Sequence, residues 1–406
     1  MRPVHSFAMG AWVGPGSDAR EIESAITGKI IARAGGARLD MAAMRDFAIS
    51  RGGPALRAMG FHDRARMLKA VALHLRAHRE ALYDLSFDTG ATAKDHLIDV
   101  DGGIGTMLVY ASKGRREMPD GHVYLDGAPE MLGRSGQFQG QHICTPRQGV
   151  AVHINAYNFP VWGMLEKLAP TWLAGMPAII KPATSTSYVT EACVRLIIDS
   201  GLVPDGALQL VAGGIGDLFD HLQGQDIVTF TGSAATGLRL RSHPGLLANA
   251  VPFTAEQDSL NASVLGRDAA PGTPEFDLFV KEAVREITVK AGQKCTAIRR
   301  IMVPEATLEP LQDALIKALT GMTVGDPRDP DTRMGALVSA AQKQDVLRAA
   351  DQIGQEAERV FGHPDVVSDM PGAFLPPMLY RCDDPDAAAI VHQTEAFGPV
   401  STLIPY

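Results

Sequence analysis

Cys295 sits in Ala291-Gly292-Gln293-Lys294-Cys295-Thr296-Ala297, among residue types that do not build a core. A thiol attacks as its thiolate, and a loop that exposes it beside backbone N–H groups favours that form. The competing reading is a small buried hydrophobe, the ordinary fate of a free cysteine. Cys144, Cys193 and Cys382 lack this setting, and Cys193 falls inside an apolar helical stretch. Glu256 closes the run Val251-Pro252-Phe253-Thr254-Ala255. A carboxylate there is either a strand end in solvent or a base held in a pocket for proton transfer.

Three further polar clusters each follow a short β-branched run. Asn155-Ala156-Tyr157-Asn158-Phe159-Pro160 follows Ile154, Lys181-Pro182-Ala183-Thr184 follows Ile180, and Thr231-Gly232-Ser233-Ala234-Ala235-Thr236-Gly237 follows Phe230. The last is a Gly-containing turn opening a helix, whose free N–H groups suit a phosphate. Simple capping by Ser233 explains the same residues. The turn is neither a Walker loop nor the Gly-x-Gly-x-x-Gly fingerprint, but a lysine closing a neighbouring strand favours a nucleotide. His74 and His78 lie one helical turn apart, flanked by Arg76 and Arg79 with no carboxylate to complete a ligand set. They read as a solvated face, and no metal site is expected.

The elements that must position these residues alternate in type. Runs at 150–154, 178–180, 208–211 and 227–230 read as strands, with helices predicted over 162–174 and 188–199. That alternation indicates an α/β fold with a parallel, doubly wound sheet. Such sheets gather ligands at the carboxyl ends of their strands, where the polar clusters fall. Ahead of this block, residues 40–115 look helical. A short segment from Met41 to Ser50 is stopped by Gly52-Gly53-Pro54, and a longer helix runs from Phe61 to Leu85. Residues 117–147 read as a protruding hairpin or long connection. A second α/β block follows, with Thr273 as N-cap and Pro274 opening a helix to about Thr288. Beyond it come a strand at 299–303, helices at 308–319 and 340–353, and a strand at 399–404. There is no internal repeat.

Composition removes several classes of function. The chain has 406 residues, 38 basic against 46 acidic, for a net charge of −8 and no basic run. That gives nucleic acid or an anionic membrane no electrostatic footprint. Four dispersed cysteines without a Cys-x-x-Cys pair argue against a zinc ribbon or a disulfide framework. The apolar stretch from Phe7 to Val13 is too short to span a bilayer. A soluble, cytoplasmic protein is expected.

In order along the chain, Asn158-Phe159-Pro160, Lys167, Lys181-Pro182, Phe230-Thr231-Gly232-Ser233, Glu256, Gly292-Gln293-Lys294-Cys295 and Glu395-Ala396-Phe397-Gly398-Pro399 resemble the aldehyde dehydrogenase superfamily. His153 to Pro160 and Lys290 to Arg300 are similar to one branch of it. That branch takes in the aldehyde dehydrogenase half of the bifunctional phenylacetate-degradation proteins and their benzoate-pathway relatives. The resemblance implies an aldehyde dehydrogenase fold: a doubly wound, Rossmann-like cofactor domain over 1–253, with 117–147 an oligomerisation hairpin, and an α/β catalytic domain over 254–406. It implies NAD(P)-dependent oxidation of a semialdehyde, CoA-linked in this branch, to the acid.

The roles carried over are specific. Cys295 is the nucleophile, Asn158 and the Cys295 N–H stabilise the oxyanion, Glu256 activates water, and Lys167 serves a proton relay. Lys181, Ala183, Thr184, Gly232 and Ser233 hold the cofactor's adenosine and pyrophosphate, and Glu395 and Phe397 its nicotinamide ribose. Many NAD-using members carry an acid three positions after the lysine matched by Lys181; Thr184 stands there, so NADP is expected over NAD. Family members continue past the Glu395 motif, so a truncated catalytic domain is expected, with an uncovered edge on the sheet holding 400–404. A homo-oligomer is expected of the full-length protein. The phenylacetate-degradation proteins of that branch also carry a C-terminal hydratase domain, and its ring-opening activity is not expected of residues 1–406. The alternatives are a CoA-acylating dehydrogenase and a non-catalytic protein on the same fold.

Overall fold

The computed structural model describes residues 1–367 and 369–406. They divide into two compact units. The first comprises 1–21, 32–82 and 98–257, and the second 22–31, 83–97 and 258–406. A single boundary at 253/254 was expected. The division instead follows Gln257, and two early segments belong to the second unit. Their hydrogen bonds show why: Ala373 N–H donates to Ala25 O (2.7 Å), and Lys290 N–H to the Asp95 carboxylate (2.9 Å). Partners so far apart in sequence leave no local pattern.

In the first unit a seven-stranded sheet runs, edge to edge, Phe253–Glu256, Ile227–Thr231, Ala151–Ile154, Ala178–Lys181, Leu208–Leu210, Ser6–Ala8, Ala11–Val13. The first five are parallel, Ser6–Ala8 joins them antiparallel, and Ala11–Val13 pairs antiparallel with Ser6–Ala8. The chain steps outward from Ala151–Ile154 on one side, then returns to its other side through Ile227–Thr231. The switch point of the doubly wound sheet therefore lies between those two strands.

Strand alternation divides the sheet's faces. Val152, Ile154, Val228 and Phe230 pack with Met44, Leu218, Phe219 and Leu246. On the opposite face buried His153 meets Thr171 of the helix Trp162–Leu173, Nε2 to Oγ1 at 3.1 Å. The apolar stretch from Phe7 to Val13 is a hairpin, turned by Met9 (φ 50°) and Gly10 (φ 81°).

Two helix expectations differ. Gly52-Gly53-Pro54 does not stop the helical path, which runs from Met41–Phe47 through a π turn, Ala48–Gly52, into Gly53–Ala58. Pro54 stands in the first turn of that last helix, directly after the π turn. Gly52 is needed for contact, because a Cβ there would meet Gly206 O at 2.1 Å. The long helix is Phe61–Ala77 and then Arg79–Ser86, broken at His78 (φ −115°, ψ 12°). Tyr124–Met131 and Gln139–Cys144 form a separate two-stranded antiparallel hairpin, exposed along nearly its whole length.

The second unit holds a five-stranded sheet in the order Ala262–Val264, Arg300–Val303, Val400–Pro405, Met378–Arg381, Glu358–Phe361. Only the last pairing is antiparallel. Val400–Pro405 is thus flanked on both sides, and the edges are Ala262–Val264 and Glu358–Phe361. Ile287, Ile301, Leu311 and Leu403 fill one core cluster, and Met378, Val346, Ile353 and Val400 another. Thr273 caps Pro274–Thr288 as expected, accepting from Phe276 N–H. Among the described residues no helix is long and apolar enough to cross a membrane.

Candidate active site

Register brings the first unit's polar residues to one edge of its sheet. Ile154 pairs with both Lys181 and Phe230, and Thr231 pairs with Glu256. The ladder continues past the strands: Asn155 N–H donates to Lys181 O (3.0 Å) and Gly232 N–H to Glu256 O (3.1 Å). Glu256 is exposed in this unit, with Thr231 Oγ1 3.5 Å from its carboxylate. Burial, assisted by the charge of Arg20, holds Lys181 below the usual lysine pKa.

Ser233 does cap Ala234–Arg241, its hydroxyl accepting from Thr236 N–H (3.4 Å). Capping therefore accounts for the Ser233 side chain. Ala183, with extended φ and ψ, leads into a 3-10 turn, Thr184–Thr186. Thr184 contributes its carbonyl to the Ser187 hydroxyl (2.8 Å) rather than a side-chain cap.

Asn158 is buried, just ahead of the helix Trp162–Leu173. On that helix Lys167 directs its ammonium at Gly163 O and the Glu166 carboxylate, both at 3.3 Å. Buried Asp99 fixes the helix start, accepting from Val161 N–H (3.1 Å) and Trp162 N–H (2.8 Å). Asp99 lies some sixty residues upstream, so no sequence pattern pointed to it. Burial, with Lys167 adding to it, pushes His153 down to about 3, so this histidine is neutral. Both polar atoms of buried Asn155 are without a hydrogen-bond partner among the described residues.

The second unit brings together Cys295, Glu395 and Phe397. Cys295 is exposed, which sets aside the buried-hydrophobe reading. Cys193 and Cys382 are buried, and desolvation raises both thiols. The Cys295 carbonyl is held by Ser259 Oγ (3.0 Å) and Asn261 Nδ2 (2.6 Å). Upstream, Lys290, Ala291 and Gly292 take three successive left-handed conformations (φ 55°, 50° and 68°). Asp95 braces this turn through Lys290 N–H, and Gln293 spans it from Lys290 O to Val338 N–H. Gly292 is required twice, since a Cβ would also meet Gly398 O at 2.2 Å. The cysteine loop and the Glu395 segment are therefore in backbone contact.

Ser259 N–H donates to Glu395 Oε2 at 3.2 Å. Burial raises the Glu395 pKa, opposed first by the charge of Arg299. Phe397 is anchored through its carbonyl, which accepts from Gln342 (3.0 Å). Ser259, Asn261 and Arg299 escaped the sequence reading, because each works through a backbone carbonyl or another side chain.

A doubly wound sheet with lysine, Gly-Ser turn and carboxylate on its carboxyl edge, together with an α/β unit presenting a loop thiol, defines an α/β protein of two dissimilar units. The chain belongs to the aldehyde dehydrogenase family, which it matches over residues 12–406. It is accordingly an oxidoreductase acting on aldehydes. One relative is 3,4-dehydroadipyl-CoA semialdehyde dehydrogenase of Aromatoleum evansii, 44% identical over 407 residues, spanning 99% of this chain and 79% of that protein. Another is 1-pyrroline-5-carboxylate dehydrogenase 1 of Halalkalibacterium halodurans, 28% identical over 83% of this chain and 63% of that protein. The fold is also that of betaine aldehyde dehydrogenase from Staphylococcus aureus, solved with NAD+. The TM-score is 0.85 at 24% identity, covering 99% of this chain and 78% of that one.

Proposed function

We propose that the protein oxidises a CoA-linked semialdehyde to its carboxylic acid with NAD(P)+. The 44% identity to a CoA-semialdehyde dehydrogenase, extending over 99% of the chain, carries this reading. Exposure of Cys295 in a braced loop supports it.

Cys295 Sγ attacks the aldehyde carbon, and the Asn158 amide and the Cys295 N–H receive the developing oxyanion. When bound, NAD(P)+ accepts the hydride, leaving a thioester on Cys295. Glu256 takes a proton from the water that hydrolyses this thioester, and Lys167 serves its relay. Aldehyde, water and NAD(P)+ thus give acid, NAD(P)H and a proton.

The residues present suit a dinucleotide. Glu395 Oε1 is a buried acceptor with no hydrogen bond among the described residues, which a ribose hydroxyl completes. Glu395 and Phe397 hold the nicotinamide ribose. Gly232 and Ser233 face the pyrophosphate, and Lys181, Ala183 and Thr184 the adenosine ribose. NADP is preferred over NAD, because Thr184 and its hydroxyl neighbours place no repelling charge beside Lys181. The first unit binds cofactor, and the second supplies the nucleophile.

Hydrolysis is favoured over transfer to CoA by retention of Glu256, since only hydrolysis needs a water-activating base. The hairpin 124–144 serves homo-oligomer assembly, because an isolated two-stranded ribbon is at best marginal in water. Absorbance of the reduced nicotinamide, followed with free and CoA-bound semialdehydes and with or without added CoA, tests the reading. Turnover without CoA is expected. Strict dependence on added CoA would replace hydrolysis by acylation, and no turnover on any semialdehyde would remove the function.

A further inference from the structure

Arg299 has no role in the chemistry above, yet it is 5% exposed and makes an unusual set of contacts. Its Nη1 donates to Gly398 O (2.7 Å), and its Nη2 to Gly292 O (2.9 Å) and Lys294 O (3.3 Å). Nε stands 3.6 Å from Glu395 Oε1, and the guanidinium carbon lies 5.4 Å from the centre of the Phe397 ring. The backbone is equally fixed: Arg299 N–H donates to Asn261 O (3.1 Å), and Arg299 O accepts from Thr402 N–H (2.9 Å). One side chain thus grips the cysteine loop at two carbonyls and the Glu395–Gly398 segment at three groups.

The grip on Lys294 O has a direct consequence. The Lys294–Cys295 peptide is planar, so holding its oxygen also sets the direction of the Cys295 N–H. That N–H is the backbone donor assigned to the oxyanion. The contact with Glu395 acts on the other partner of the reaction, since a guanidinium beside a buried carboxylate keeps it ionised. A planar fork reaches several acceptors at once, which an ammonium on a flexible stem does not.

We propose that Arg299 is a positioning residue that couples the two halves of the reaction centre in this unit. It orients the peptide that donates to the oxyanion, and it keeps Glu395 charged and aimed at the cofactor ribose. The inference rests on the functional reading above.

Arg299→Gln, Arg299→Lys and Glu395→Gln test it, with NAD(P)+ affinity measured by calorimetry across roughly pH 5 to 9. Alkylation of Cys295 by iodoacetamide without cofactor and the pre-steady-state burst are followed alongside. The wild type should lose affinity as pH falls and Glu395 takes up a proton. Arg299→Gln should weaken binding about tenfold near neutrality, as for loss of one charge-assisted contact. It should also move that acid limb to higher pH. Arg299→Lys should restore the limb but not the burst rate or the alkylation rate, because the charge returns without the fork. Glu395→Gln should abolish the limb.

An Arg299→Gln protein with native circular dichroism and a wild-type affinity profile would overturn the proposal, as would a limb that survives Glu395→Gln. Should Arg299→Gln not fold, Arg299→Lys decides: a wild-type burst and alkylation rate would overturn the proposal. A wild-type chain that binds no NAD(P)+ would bring down the functional reading and this inference together. A wild type active on semialdehydes with an unaffected Arg299→Gln would bring down the inference alone.

Discussion

At Cys295 the chemistry depends on atoms that a sequence does not display. Its neighbours Gln293 and Lys294 marked the segment as something other than core, and the structure exposes the thiol. What makes the loop rigid comes from Ser259, Asn261 and Arg299, none of which carries a type or spacing that announces the role. Cys295→Ala should abolish aldehyde oxidation while cofactor still binds. Glu256→Gln should still permit hydride transfer but stall at the thioester, giving a burst of reduced cofactor followed by slow turnover. Stopped-flow absorbance separates the two, and wild-type steady-state rates in either would remove that residue from its role. Thr184→Glu bears on cofactor choice: a carboxylate three residues after Lys181 should repel a 2′-phosphate and shift kcat/KM from NADP toward NAD. A wild type that already prefers NAD would refute the preference.

Among the elements, those whose signals are local were legible and those whose partners are distant were not. Thr273 and Pro274 announce the helix Pro274–Thr288, and β-branched runs announce the central strands of the first sheet. The Met9-Gly10 hairpin and the path through Gly52 were missed, because each is set by contacts rather than by period. The segment 83–97 is the clearest case. Its Asp95 accepts from Thr92 N–H and Oγ1, both at 2.8 Å, and from Lys290 N–H at 2.9 Å. The first belongs to the local Thr-x-x-Asp capping box, which Asp95 N–H completes by donating to Thr92 Oγ1 (3.4 Å). The third reaches the left-handed turn ahead of Cys295, where two non-glycine residues hold positive φ at about 1 kcal/mol each. Asp95→Ala should therefore cost about 3 kcal/mol by leaving buried donors unmet. It should also slow the burst by loosening the turn. Asp95→Asn, which keeps an acceptor, should lose less. Urea midpoints and burst rates check both, and an Asp95→Ala protein of unchanged stability would show that the brace is not needed.

For the whole molecule, a net charge of −8 accompanies a hairpin that presents an exposed apolar surface. On the hairpin Leu125 faces Ile143 across the strands, 54% and 59% exposed, with Met131, Leu132 and Phe138 also open. A paired, solvent-facing Leu and Ile are characteristic of a contact surface, and nothing in the hairpin's own two strands buries them. Covering each would contribute about 1.5–3 kcal/mol, so a symmetric dimer using both pairs gains several times that amount before the cost of association. Replacing both residues, Leu125→Glu with Ile143→Glu, places like charges directly opposite on each copy and should drive the protein to monomers. The hairpin forms no part of the proposed chemistry, so thiol reactivity at Cys295 should survive the change. Sedimentation equilibrium reads the mass directly. An unchanged assembly mass in the double variant would assign oligomerisation to another surface. A wild type that is monomeric at micromolar concentration would remove the role from the hairpin altogether.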